Sequence, residues 1–252
     1  MDVEETQVMS RTGEFTTTLS WQESVRGRVA AAMDRFSGPI ADLVARDANE
    51  GDTRLLIADF FSVGLNFSKY QDLTTEYRTS GESNDYAIVL DGKLFAPVEV
   101  RGIGQELDLR NIQMARRLAA QEGAEWIFLT NGRIWRVYHL RPEGSGTRPV
   151  VVVDADLSDP DAYHRNLDQL FHLTREAIAH GRLDALRRWR EAVEAAPLSG
   201  LVTEDSVVAA VLNELRESTG HPGHAGDAEE VREVLGEQVI ARGLSSTPPS
   251  EE

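Results

Sequence analysis

Residues 84–101 read NDYAIVLDGKLFAPVEVR, and their reading decides the fold. DYAIVLDG alternates in polarity and is rich in β-branched residues, which predicts a strand opening at Asp85. Asp91-Gly92 lies between two such runs and predicts a tight hairpin. The return run, LFAPVEV, predicts a second strand, with Pro97 favouring an edge or irregular position. Side chains two apart on a strand share a face, so Glu99 and Arg101 point the same way. A hairpin closed at Asp91-Gly92 puts Asp85 on the neighbouring strand, where one register brings it toward Glu99. Sequence alone does not fix that register.

Two carboxylates meeting at one end of a sheet repel unless a cation sits between them. A hard, oxygen-seeking ion, Mg²⁺ or Mn²⁺, meets that need, with the backbone carbonyl of Val100 as a further donor. Such an ion lowers the pKa of a bound water and balances charge on a phosphodiester under attack. A cationic neighbour such as Arg101 serves as an electrostatic clamp. The competing reading is an Asp at a strand entrance and a solvent-facing Glu99–Arg101 pair. Spacing alone favours that second reading, because D…ExR patterns arise by accident.

Outward from this hairpin the pattern stays mixed. A helix is predicted from about Leu107 to Ala120, with Leu109, Ile112, Leu118 and Ala119 on its apolar side. WIFLT (126–130) and IWRVYHL (134–140) predict strands joined at Asn131-Gly132, and PVVVVDA (149–155) a last strand. Upstream, SWQESVRGRVAAAMDRF has Ser20 and Glu23 at capping-box spacing, then Val25, Val29 and Met33. Gly38-Pro39 divides it from a second helix carrying Ile40, Leu43 and Val44. DTRLLIADFFSV predicts a buried helix capped at Asp52 and stopped at Gly64, and YQDLTTEYRT a strand. Beyond Asp159 the text is helical.

The expectation is an α/β protein in four parts. These are an N-terminal tail and helical hairpin at 1–46, a mixed-sheet core with one crossover helix at 47–157, a C-terminal helical region at 158–244, and a disordered tail at 245–252. The apolar stripes of the terminal helices are expected to seek partners, which predicts a homo-oligomer.

Composition narrows the function classes. With no cysteine among 252 residues, disulfides and thiolate zinc sites are excluded, in keeping with a cytoplasmic setting. No apolar run reaches the roughly 20 residues of a membrane span, and residues 1–10 lack the marks of a secretion signal. Forty-two acidic against 26 basic residues leave a net charge of −16, which argues against binding nucleic acid by general phosphate contacts. A local groove is free to differ from the whole.

From Glu50 to Leu140 the chain resembles the nuclease domain at the N-terminus of type I restriction enzyme motor (R) subunits. That family lies within the PD-(D/E)xK, restriction-endonuclease-like class. The resemblance is carried by Glu50 with Thr53-Arg54 ahead of LLIADFFSVGLNF, then DLTTEYR, DYAIVLDGK, APVEV, Gln113 on the crossover helix, and WIFLTNGRIWRVYHL. It implies a restriction-endonuclease-like core, Mg²⁺ (or Mn²⁺) as cofactor, and hydrolysis of DNA phosphodiesters to 5′-phosphate and 3′-hydroxyl ends. Asp85 and Glu99 would be the metal carboxylates and Glu50 a further acidic ligand, while Gln113 would contact the site or the DNA.

The family's Lys is replaced by Arg101, which keeps the charge as a planar fork but does not act as a base. Its Pro is Asn84, and Arg116 or Arg117 stands where an aromatic is usual. Lys93, the nearest other ammonium, is expected at the far end of its strand. Weakened cleavage is the expectation, or a catalytically inactive fold that binds DNA or protein. No GxxxxGK[ST] phosphate loop occurs in the chain, so any motor or defence partner would be a separate protein.

Overall fold

The computed structural model describes residues 5–9, 15–79, 82–144, 146–220, 222–224 and 226–236. The tail expected at 245–252 lies outside them. Strands β1 (Glu5–Met9) and β2 (Phe15–Leu19) pair antiparallel ahead of α1 (Ser20–Ala45) and α2 (Glu50–Val63). Then come β3 (Leu73–Thr79), β4 (Glu82–Leu90), β5 (Lys93–Val100), α3 (Gln113–Glu122), β6 (Trp126–Thr130), β7 (Ile134–Glu143) and β8 (Gly146–Asp156). β3 to β8 form an open six-stranded sheet in sequence order. Every neighbouring pair is antiparallel except β5 and β6, which α3 connects as a crossover. The result is a mixed α/β architecture, as expected at that level.

Local chemistry explains the two-residue turn. Asp91 and Gly92 have φ of 51° and 76°, the paired left-handed conformation that matches strand twist in a tight hairpin. Pro97, however, sits on an interior strand opposite Ala87. The Arg101 N–H bonds Thr130 O on β6, so by alternation the missing N–H of Pro97 falls on that same side. Parallel pairing with β6 begins only at Val98, which leaves the gap outside the ladder.

The helices also depart from their expected limits. α1 runs unbroken through Pro39. Val25, Val29, Met33, Phe36, Ile40 and Leu43 are buried along one stripe across the proline, and this burial offsets the lost bond. The same stripe is covered by the chain's own core, so it does not require a partner subunit. α2 is capped by Asn49, whose side chain accepts the Asp52 N–H, rather than by Asp52. Gly64 ends α2 with right-handed φ. A Cβ there would lie 3.0 Å from that of Ala32, so the glycine admits α1 more than it turns the chain. The expected helix from Leu107 is a single 3-10 turn, Leu109–Ile112, capped by Asp108, followed by α3. The tighter turn rotates Leu109 into solvent at 54% exposure.

One sheet face packs on α1 and α2, with Phe60, Phe61, Phe67, Phe128 and Trp135 fully buried. The other face packs on α3 through Ile112, Ala115, Ile127, Leu129 and Tyr138. The helices that follow are α4 (Tyr163–Phe171), α5 (Arg175–Ala179), α6 (Arg182–Ala192), α7 (Ala195–Val202), α8 (Asp205–Thr219) and α9 (Asp227–Glu233). The chain divides into two compact units, residues 1–187 and 188–252. Leu170 and Leu173 join the sheet's core, and Arg28 pairs with Glu176 through two 2.8 Å bonds, which binds α4 and α5 to the first unit. In the second unit α8 buries Val208 and Leu212, and Arg232 of α9 pairs with Asp205. No helix among the described residues is long and apolar enough to cross a membrane.

Candidate functional site

The register of β4 against β5 pairs Tyr86 with Val98, and one step further sets Asp85 opposite Glu99. Tyr86, Val98 and Val100 belong to the core under α1 and α2. Strand alternation therefore turns Asp85 and Glu99 to the other face, beside Leu129 and on the α3 side. The Asp85 Oδ2 accepts the backbone N–H of Val100 at 2.8 Å, which ties the aspartate to the end of β5.

Glu50 arrives from the N-terminus of α2, which is fastened at two points, to the loop after β5 and to β4. The Thr53 Oγ1 accepts the Ile103 N–H at 3.1 Å and donates to Asn49 O at 2.9 Å. The Tyr86 hydroxyl donates to Arg54 O at 2.8 Å. These bonds bring the first turn of α2 against the end of β5 and make Glu50 part of the cluster.

The donors converge on one atom. Arg101 Nη1 lies 2.5 Å from Val100 O, 3.4 Å from Glu99 Oε2, 3.9 Å from Glu50 Oε2 and 4.0 Å from Asp85 Oδ2. The set that sequence assigned to a metal thus meets around a guanidinium nitrogen. All four groups are hard oxygen donors of the kind Mg²⁺ and Mn²⁺ take. As the side chains stand, no group of three or more His, Asp or Glu among the described residues is set to hold a metal ion. The donor chemistry is of the kind such an ion takes, and a guanidinium nitrogen stands among the donors.

Electrostatics follow from burial. Glu99 is 6% exposed, and desolvation, then the Asp85 charge, raises its pKa from the ordinary 4.5 to about 7. Arg101 and the Asn84 side-chain amide, which donates to Glu99 Oε1, pull the other way. The Asn84 Oδ1 is buried with no hydrogen-bond partner. Arg54 stands 3.4 Å from Asp85 Oδ1, so the aspartate faces one arginine from each side.

Gln113 does not join these residues. It is exposed at the start of α3 and lines a groove with Arg116, Arg117 and Thr147. Asn111, two residues earlier, reaches the site instead, its carbonyl accepting Arg101 Nη2 at 3.2 Å. The 3-10 turn before α3 produces this exchange. Lys93 opens β5, at the opposite end from Glu99. Sequence reasoning missed Arg54 as partner of Asp85 and Asn84 as partner of Glu99. The Thr53-Arg54 pair was the available signal for the first, and the unexpected Asn84 beside Asp85 for the second.

Comparison with protein-family models, with curated proteins and with solved structures finds no match for the chain.

Proposed function

We propose that this is a nuclease-fold protein of restriction-endonuclease-like architecture that hydrolyses DNA phosphodiesters with Mg²⁺ or Mn²⁺, weakly because Arg101 replaces the usual lysine. One observation carries the reading: the convergence of Asp85, Glu99, Glu50 and the Val100 carbonyl on a single point at the end of β5. Asp85, Glu99 and the Val100 carbonyl would hold the ion, with Glu50 beside them. The ion's part, when bound, would be to activate water and balance charge on the phosphodiester.

The chain's own groups do the rest. Arg54 holds Asp85 in orientation, and Asn84 does the same for Glu99. Arg101 supplies a fixed positive charge able to clamp a phosphate oxygen with two N–H bonds. It does not take a proton from water, since its guanidinium stays charged. DNA would be engaged at this local site, because the overall charge of −16 disfavours general phosphate binding.

The second reading is a non-cleaving scaffold for DNA or protein, favoured by the guanidinium on the donor set. Incubation of supercoiled plasmid with Mn²⁺ or Mg²⁺ separates the two. Slow nicking by wild type, faster nicking by Arg101→Lys and none by Glu99→Ala is expected. No nicking by wild type or Arg101→Lys, or equal nicking by Glu99→Ala, leaves the scaffold.

A further inference from the structure

We propose that Arg101 is the resident cation of this site, holding the donors together in the metal-free protein and leaving them for a DNA phosphate, so that nucleic acid gates metal entry. This rests on the nuclease reading above and adds a regulatory step to it.

The geometry sets up a competition. Nη1 occupies the point on which the three carboxylates and the Val100 carbonyl close. A divalent ion bound to those oxygens would meet a positive group in the same volume, so the two occupancies exclude each other. Without either cation, the largely buried carboxylates of Asp85 and Glu99 would face each other with the more exposed Glu50 beside them. The arginine thus keeps the apo site assembled, and its permanent charge makes it suited to that task.

Its shorter bonds go to the backbone carbonyls of Val100, at 2.5 Å, and Asn111, at 3.2 Å, and its hold on the carboxylates is loose. Contacts of 3.4, 3.9 and 4.0 Å to the carboxylates are longer than the roughly 2.7–2.9 Å of a strong charged hydrogen bond. A phosphate offers the guanidinium fork two parallel bonds at once. The Arg101 side chain is 24% exposed, so it has a path to solvent. Asp85 keeps its place when Arg101 departs, because Arg54 and the Val100 N–H hold it independently. Substrate would therefore empty the donor set without dismantling it.

Reciprocal linkage makes this measurable. Mn²⁺ binding is followed by the paramagnetic resonance of the free ion, for wild type and Arg101→Gln, with and without a short DNA duplex. Wild type alone should bind weakly, and the duplex should tighten its affinity by about tenfold or more, within the usual range of coupling. Arg101→Gln should bind tightly without DNA, and the duplex should change it by less than about twofold. Mn²⁺ should also raise the melting temperature of Arg101→Gln more than that of wild type. Equal Mn²⁺ affinity in the two proteins, or a wild-type affinity that ignores DNA, overturns the gate while leaving a metal site. Absence of binding in every arm overturns the metal reading and the gate together. Should Arg101→Gln not fold without metal, the wild-type response to the duplex decides by itself.

Discussion

Replacing Glu99 by glutamine removes a titration that burial has displaced, and the consequence is a change in how stability follows pH. Lifting a carboxyl from 4.5 to about 7 corresponds to about 3 kcal/mol in favour of its protonated form. The sign follows from proton uptake. The folded chain binds the Glu99 proton more tightly than the unfolded chain, so that stability is complete below pH 4.5 and is lost as pH rises through about 7. About 2–3 kcal/mol of it should disappear between pH 5 and pH 8. A glutamine at this position would keep the shape of the side chain and an oxygen for the Asn84 amide, but has no proton to lose.

Urea denaturation in EDTA, followed by tryptophan fluorescence, measures the difference. Trp135 is 1% exposed and packs against Phe60 and Phe61, so it reports on the core of the sheet unit. The Glu99→Gln variant should gain on wild type by about 2–3 kcal/mol across that range. Parallel stability curves for the two proteins would refute the claim that burial, with Asp85 alongside, raises the Glu99 pKa.

Thr53→Val leaves the Ile103 N–H without its acceptor and should cost about 1–3 kcal/mol, read by the same denaturation. It should also weaken plasmid nicking, because Glu50 rides on the turn that Thr53 anchors. Gly132→Ala places a side chain at φ +83°, with Leu56 Cδ2 3.3 Å away. A loss of about 1–2 kcal/mol is expected, and a neutral result would mean that the turn relaxes freely.

Short-range chemistry was what the sequence showed best. Asp91-Gly92 and Asn131-Gly132 were legible as turns because their conformations are set by the residues themselves; Asn131 Oδ1 accepts the N–H groups of Arg133 and Ile134. Asp85 and Glu99 were legible as neighbours because one turn joins their strands, but that turn alone would set Asp85 against Val98. The irregularity between Ile88 and Val89 shifts the register by one residue and brings Asp85 opposite Glu99, and nothing in the sequence announced it. What failed depended on distant packing. Pro39 looked like a break, yet the buried stripe carries α1 through it. Pro97 looked like an edge, yet β6 starts just late enough to spare its missing donor. Gln113 was assigned to the site on a helix that in fact begins with a 3-10 turn, which hands the contact to Asn111. The place of Arg101 Nη1 among four oxygens depends on three separate elements, α2, β4 and β5, and no spacing along the chain encodes it.

The proposed metal site is tested most directly by anomalous diffraction from crystals held at saturating Mn²⁺. The account predicts a manganese peak bound by the carboxylates of Asp85 and Glu99 and the carbonyl of Val100, with the Arg101 guanidinium displaced from that point. An absent peak with Arg101 unmoved, or manganese only elsewhere on the protein, would contradict it.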